Sequence, residues 1–442
     1  MKTFIKGDKK VLNAWAFYDW ANSVYALVIS SSIFPLFYGA LFRMADKEGW
    51  SFFGVEIPSE SIISYVTAIG FLIISVLSPI LSGVADYLGN KKFFLKVFCA
   101  LGAISCMMLY FFSLDSIYTG LFFYMMALIG FWGSLVFYNS YLPDIAFTEQ
   151  QDQVSAKGYS LGYIGSVVLM LINLAMVMKP ELFGINEATP QLAAQKGMRI
   201  SFITVGIWWI VFAQYSFYYL PVFQSKGRIT KNVIWSGIKE LKKVWINLKH
   251  TPILKKYLIA FFVYSMAVQT VMLVATYFGE QEIAWENEEQ KTIGLIVSIL
   301  LIQIVAVVGA ILTAKASSKF GNIKTLVFIN SIWLLICLAA YWVVLPVHFY
   351  ITAACVGMVM GGIQSLSRST YSKFLPETTD TTSYFSFYDV TEKIGIVIGM
   401  LIYGAIDQIT GSMRNAIVFL MLFFAVGIYL LFNVNKETKH NN

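Results

Sequence analysis

Asp19, Arg368, Asp389, Glu392 and Lys393 stand where the surrounding chain is apolar enough to lie in hydrocarbon. A charge in that setting costs about 2.5–3.5 kcal/mol on insertion scales, so each needs a partner, water or a task. Asp19 is separated by three or four residues from Trp15, Asn22 and Ser23, which puts all four on one helical face. A carboxylate on such a face suits a proton or a cation. Gln364, Ser365 and Arg368 form the polar face of a second segment, after Gly361 and Gly362, which permit a close backbone approach or a bend. The Arg368 guanidinium is a rigid fork for a carboxylate or phosphate. In a third segment Tyr388 precedes Asp389, Glu392 and Lys393, with Asp389 and Lys393 an acid–base pair four residues apart. Glu392 and Asp389 are alternative proton carriers to Asp19. Trp15, Tyr18, Asn22, Tyr138, Asn139, Tyr141, Gln269 and Gln364 offer the remaining aromatic and amide surface for a solute. The plainer reading of the same charges is a permanent network of structural ion pairs, with no solute contact.

The elements that must carry these residues are membrane spans. Of 442 residues, 58% are hydrophobic and only 13% charged, enough apolar chain for roughly a dozen spans of about 20 residues. The mean hydropathy of +0.68 excludes an ordinary soluble domain, and the low charge excludes disorder. Hydropathy windows place spans near residues 12–42, 60–84, 93–114, 117–142, 155–178, 199–221, 256–279, 291–314, 324–345, 348–372, 384–410 and 414–434. The first is too long for a secretory signal. Cys99, Cys106, Cys337 and Cys355 all fall in apolar runs and read as small buried hydrophobes.

Loop charge sets the orientation. The connection between the sixth and seventh spans carries Lys226, Arg228, Lys231, Lys239, Lys242, Lys243, Lys249 and Lys255 against Glu240 alone, which predicts a cytoplasmic position for it and for both termini. The loop after the seventh span holds Glu280, Glu282, Glu286, Glu288 and Glu289 with no base, as an outside loop permits. This asymmetry accounts for the net charge of +7 without nucleic acid. Within the basic connection Val233, Ile234, Ile238, Leu241, Trp245 and Leu248 recur at three- and four-residue steps, which predicts an amphipathic helix on the inner leaflet, or a plain tether between two halves.

The two halves repeat each other. Leu88-Gly89-Asn90-Lys91-Lys92 after the second span is echoed by Phe320-Gly321-Asn322-Ile323-Lys324 after the eighth, and Leu142-Pro143-Asp144 after the fourth by Leu375-Pro376-Glu377 after the tenth. Tyr18-Asp19-Trp20-Ala21 has a weaker counterpart in Tyr264-Ser265-Met266-Ala267. Six spans repeated in parallel predict an all-α membrane protein of two six-helix bundles, residues 1–222 and 256–442, joined by a cytoplasmic connection over 223–255.

Ser82-Gly83-Val84-Ala85-Asp86-Tyr87-Leu88-Gly89-Asn90-Lys91-Lys92 resembles the loop motif of the major facilitator superfamily, with Ser82 in place of its first glycine. Ala14-Trp15-Ala16-Phe17-Tyr18-Asp19-Trp20-Ala21-Asn22-Ser23 is similar to the signature of the vacuole effluxer-like branch, related to autophagy-related protein 22. Gly361–Ser369 and Phe385–Val390 resemble the same branch. The resemblance implies a twelve-helix secondary transporter, and the eukaryotic relatives imply efflux of amino acids from the vacuole. It also implies a conformational latch formed by Asp86, Gly89 and Lys91, with the Asp86 carboxylate at the start of the eleventh helix, where unpaired amides favour an anion. Ser318 stands where the second copy would carry the acid, so the latch reads as one-sided. Near Tyr264–Ala267 the chain lacks the acidic residue that related chains often carry, so the resemblance does not extend to proton coupling through that helix.

Orientation predicts that Asp19, Arg368, Asp389, Glu392 and Lys393 lie toward the inner side, in one cluster joined by Asn139, Asp144 and Lys157. Such a cluster would act as an inner gate, bonded when the carrier faces outward and hydrated when it opens inward. The function expected is secondary transport by alternating access, with export of amino acids or similar zwitterions as the first reading. A sugar, drug or organic-anion carrier is the second, and a non-transporting receptor or scaffold the third. The partners expected are a small solute, a coupling proton or cation and the lipid bilayer, with the chain a monomer in a cell membrane, or in a vacuolar membrane in a eukaryote. His250, His348 and His440 are too scattered for a metal site or a triad, and no phosphate-binding loop is present, so neither an enzyme, a metal nor a cofactor is expected.

Overall fold

The computed structural model describes residues 5–52, 54–223 and 233–440. Lys226, Arg228 and Lys231 of the basic connection lie outside the described residues. Among the described residues twelve helices are long and apolar enough to cross a membrane: Lys9–Met44, Ser61–Leu88, Lys91–Phe111, Ile117–Ile145, Thr148–Met178, Pro190–Tyr219, Pro252–Gln281, Glu288–Phe320, Asn322–Trp342, Pro346–Lys373, Thr381–Thr410 and Met413–Val434. They are called the first to twelfth spans below. Most overrun the apolar windows because a helix continues past the hydrocarbon edge as long as its ends are capped. The sixth, for example, starts at Pro190, with the Thr189 hydroxyl accepting from the Leu192 amide at 3.2 Å, well before its apolar stretch begins.

The first span is not one regular helix. An α-helix over Lys9–Val24 passes into a π-helical turn at Tyr25–Ser30, breaks, and resumes at Ile33–Met44. A short antiparallel hairpin, Gly49–Phe52 with Val55–Pro58, then leads to the second span. Neither the break nor the hairpin was visible as a hydropathy feature. Of the cysteines, Cys99, Cys106 and Cys337 are buried, but Cys355 is exposed on the outer surface of the tenth span, contrary to the expectation that all four are interior.

Two hydrophobic cores organise the spans. One runs from Val11 to Leu220; the other takes its residues from Val244 to Val434, with Tyr163 reaching into it from the fifth span. The cores meet along two seams related by the repeat: the second span against the eleventh, and the fifth against the eighth and tenth. Gly361 sits so close to the eighth span that a Cβ there would lie 2.1 Å from the Ala306 carbonyl oxygen, so of the two possibilities for that glycine it is close approach that holds.

The helix of the connection, Val233–Leu248, packs on the second span. There Gly83 and Gly237 touch backbone to backbone, and a Cβ on Gly83 would fall 2.1 Å from the Gly237 carbonyl oxygen. The same helix reaches the eleventh span through Lys243 to Asp380 (3.4 Å) and through the Trp245 ring against Phe387 (5.6 Å). Asp380, followed by Glu240, holds the Lys243 ammonium above its ordinary pKa. Gly83→Val is expected to push this helix off the second span, with an overpacking cost of about 1–3 kcal/mol. The measurement is tryptic cleavage at Lys239, Lys242 and Lys243, which should quicken several-fold; an unchanged rate would mean the contact does not hold the helix.

Candidate functional site

The two six-span halves are bonded to each other by polar side chains along their seams. The polar contacts between them gather toward the end of the bundle where the termini lie, here called the terminal face. Gly89, with φ of 65°, ends the second span in the left-handed region, and the Asn90 side chain caps the third by accepting from the Phe93 amide at 3.2 Å. That sharp turn presents Asp86 to the opening turn of the eleventh span, where its carboxylate accepts from the Thr382 amide (3.2 Å) and the Ser383 amide (2.7 Å). Buried Lys91 pairs with Asp144 and donates to the Ser140 carbonyl (2.8 Å) and the Thr381 hydroxyl (2.9 Å). Asp86, Gly89 and Lys91 thus meet at one place, and Lys91 bridges the fourth and eleventh spans.

The repeat-related seam has its own carboxylate, which corrects the one-sided reading. Asp152, in the first turns of the fifth span, accepts from the Ser317 hydroxyl (2.9 Å), the Asn322 amide (2.9 Å) and the Lys373 ammonium (2.6 Å). Its position corresponds to the Ser383 region of the eleventh span, and Ser317–Ser318 corresponds to Asp86. The charge has therefore moved to the other partner of the contact. A search of the second loop motif for its missing acid does not find it, because the acid lies on the facing element.

Deeper in the seam, Arg368 enters from the tenth span. It lies five residues from the end of that helix at Lys373, about 7 Å along the axis. It is 2% exposed. Nε donates to the Ser155 hydroxyl (3.0 Å), Nη1 to Asp19 (3.4 Å) and Asn139 (3.1 Å), and Nη2 to Asp19 (3.3 Å) and the Ser155 carbonyl (3.0 Å). The five N–H groups of a guanidinium are thereby all directed at acceptors. Rings of Tyr159, Trp15 and Tyr138 surround it at 4.2, 4.7 and 5.4 Å. The Tyr138 hydroxyl donates to Asp19 Oδ2 at 2.8 Å, and the Trp15 indole donates to the Tyr138 carbonyl at 2.8 Å. Every hydrogen-bond partner of Arg368 belongs to the other half of the molecule.

Asp389, Glu392 and Lys393 do not join this group. Asp389 pairs with Lys393 and accepts from Ser78 of the second span at 3.4 Å, while Trp132 lies 5.1 Å from the Lys393 ammonium. Glu392 accepts from the Gln269 amide at 2.7 Å. The expected single cluster is two, because Arg368 faces the fifth and first spans, whereas the eleventh turns its charges toward the second and seventh. Tyr159 stands between them, within electrostatic reach of Arg368, Glu392 and Asp19. Gln364 accepts from the Tyr163 hydroxyl at 2.6 Å, another bond across the seam. Lys157 is corrected outright: it points to the exposed side and donates to Asn13 at 2.7 Å. Asp144 belongs with Lys91 and not with Arg368.

Tyr18 lies behind Tyr138, with ring centroids 5.0 Å apart, inside the first core. Asn22 is buried and accepts from Ser23 at 3.3 Å, and Tyr388 stacks on Phe261 at 4.2 Å. These three support the site without touching Arg368. Three residues that matter were not singled out from sequence: Ser155, Gly158 and Tyr159. A Cβ on Gly158 would stand 2.4 Å from Asp19 Oδ2, so the missing side chain is what admits the ion pair. The available signal was the run Ser155, Gly158, Tyr159, Gly162 and Tyr163, all on one helical face of the fifth span.

Two six-span cores meeting along paired seams, with a loop carboxylate capping the facing helix, define a major facilitator transporter, a multi-pass membrane protein. Solved structures of that class share the fold: FucP in its outward conformation (TM-score 0.65, 14% identity, 97% of this chain and 99% of that one) and the human organic anion transporter MFSD10 (TM-score 0.69, 11% identity, 97% and 100%). The chain belongs to the vacuole effluxer Atg22-like family, whose model matches residues 7–442. It is 30% identical over 444 residues to the uncharacterized MFS-type transporter YxiO of Bacillus subtilis, covering 99% of this chain and 97% of that protein. Autophagy-related protein 22 of Eremothecium gossypii is 25% identical over 425 residues, covering 87% and 79%.

Proposed function

We propose that the protein exports amino acids or similar small zwitterions across the cell membrane by alternating access, with both termini in the cytoplasm. One observation carries this reading: Arg368 is on one half and all its partners, Asp19 among them, are on the other. When the halves part at the terminal face, the guanidinium and the carboxylate lose each other together. A solute bearing a carboxylate and an ammonium supplies the two charges that the parting leaves unmatched, so it binds the opened seam and is released as Arg368 and Asp19 re-pair. In the closed arrangement Arg368 has no donor left for a solute, so its role there is that of a gate. The orientation rests on loop charge: bases on the terminal side, five glutamates after the seventh span. Residues 1–222 and 256–442 are the two moving bodies, and 223–255 joins them. The description of the family as effluxers supports export as the direction.

Coupling to a proton is assigned to Glu392. Asp19 and Asp389 each have a cationic partner, while Glu392 has the Gln269 amide. The groups around it are Tyr388, Asp389 and Lys393 on its own span, Tyr264 and Gln269 on the seventh and Tyr159 on the fifth. A carboxyl so placed can carry a proton without first breaking an ion pair.

The test is counterflow in proteoliposomes against amino acids, sugars, organic anions and cationic drugs. Amino-acid counterflow lost in Asp19→Asn is the expected result. Counterflow confined to another solute class would keep the transporter and discard the zwitterion, and flux of none of them would favour a scaffold. Glu392→Gln should retain amino-acid exchange while an imposed pH gradient no longer drives accumulation; accumulation as in the wild type would remove Glu392 from coupling.

A further inference from the structure

The connection helix Val233–Leu248 has one face against the protein, with Gly237 on the second span and Val244 buried in the second core. The opposite arc carries Trp235, 67% exposed, and Ile246, flanked by Ile234 and by Trp245, which is 55% exposed although one side of its ring meets Phe387. Lys239 and Lys242 lie in the same arc and Lys249 follows in the turn just past the helix end; all three are exposed and form no ion pair among the described residues. Large apolar side chains interleaved with unpaired ammonium groups suit neither bulk water nor hydrocarbon.

The depth of the helix decides between them. The second span has 28 residues, about 42 Å of helix, against a hydrocarbon thickness of about 30 Å, so each end projects by about 6 Å if the span is centred. Gly83, which touches Gly237, is five residues from the end of that span at Leu88, about 7 Å along it. The connection helix is therefore fastened at the boundary between acyl chains and headgroups. At that level tryptophan and isoleucine enter the acyl edge while lysines reach phosphate. A soluble protein partner would have to displace lipid to reach this arc.

We propose that this face is a docking surface for anionic phospholipid headgroups, with Lys239, Lys242 and Lys249 as its charge-reading residues and Trp235, Trp245 and Ile246 as its apolar anchors. Three lysines near a negatively charged bilayer surface strengthen attachment by on the order of 100-fold at low salt, and the gain falls as salt screens them. Lys243 is not part of this set, because Asp380 and Glu240 engage it.

Hydrogen exchange of the full chain in nanodiscs tests this directly. Amides of residues 233–248 should exchange at least tenfold more slowly with phosphatidylglycerol present than in phosphatidylcholine alone, and the difference should shrink at high salt. The triple variant Lys239→Gln, Lys242→Gln, Lys249→Gln should lose the difference while matching the wild type in neutral lipid, which shows that the helix still docks on the second span. Equal exchange in both lipids, or a difference that survives in the variant, would overturn the proposal. So would equal protection from inorganic phosphate added to neutral nanodiscs, since the source would then be a soluble anion and not the bilayer.

Discussion

Arg368→Ala is expected to lower solute counterflow by at least about 100-fold while the protein still inserts and folds. Truncation leaves Asp19 buried with only Tyr138 donating to it. Removing one member of a buried, hydrogen-bonded pair costs about 3–5 kcal/mol. Because the partners lie on opposite halves, that cost falls on the arrangement in which the terminal face is closed and spares the one in which it is open. The ratio of the two then shifts by about 10²- to nearly 10⁴-fold toward the open form, and a carrier trapped in one form cannot cycle. The shift is read from maleimide labelling of Ser140→Cys in a Cys355→Ser background. Ser140 is fully buried at the seam beside Lys91 and Thr382, so labelling reports opening. Arg368→Lys keeps the charge but not the fork, and should retain only part of the closure. If Arg368→Ala prevents folding, Asp19→Asn with Arg368→Gln removes both charges and should restore the fold without transport. Wild-type counterflow, or unchanged labelling, would show that Arg368 is not the gate.

Asp152→Asn is expected to open the same face to a degree comparable with Asp86→Asn. Asp152 accepts three hydrogen bonds across its seam, one of them from an ammonium, and Asp86 accepts two from helix-terminal amides. Hydrogen bonds to a charged group contribute about 1.5–3 kcal/mol, less here where Lys373 is partly solvated, so each variant should raise Ser140→Cys labelling by about tenfold or somewhat more. The two carboxylates share no hydrogen-bond partner, so their effects should combine and the double variant should label faster than either. A silent Asp152→Asn beside an active Asp86→Asn would return the latch to one side, as the loop motif alone implies.

The membrane spans, the repeat and the family could be read before any fold was in hand. Each depends on signals that are local or compared by register: an apolar run, a loop's lysines, a motif copied in the second half. The charged residues of the seam were legible as a set for the same reason, since a charge within an apolar run is conspicuous wherever it lies. Their grouping was not. Asp19 and Asn139 meet Arg368 because the first, fourth and tenth spans converge, whereas Lys157, one turn from Ser160 on the fifth span, turns outward. Helical phase relative to neighbouring helices decides this, and phase is set by packing.

Asp152 shows the limit most sharply. Comparison of the two halves looks for like residues at like positions, and an interaction whose charge has moved to the facing helix leaves no such trace. Gly158 was silent for a related reason, because its contribution is the space it leaves for Asp19 and Arg368. What the amino-acid sequence determined by itself was the number of spans, the duplicated architecture and which residues could not rest in hydrocarbon alone, because transfer from water to lipid is governed by each segment's own composition. The tertiary structure decided which charge answers which, that Asp152 is the carboxylate bonded across the second seam, and that the connection helix packs on the second span. Those outcomes depend on distances between segments remote in the chain, and a hydrogen bond or ion pair is settled over a few ångströms.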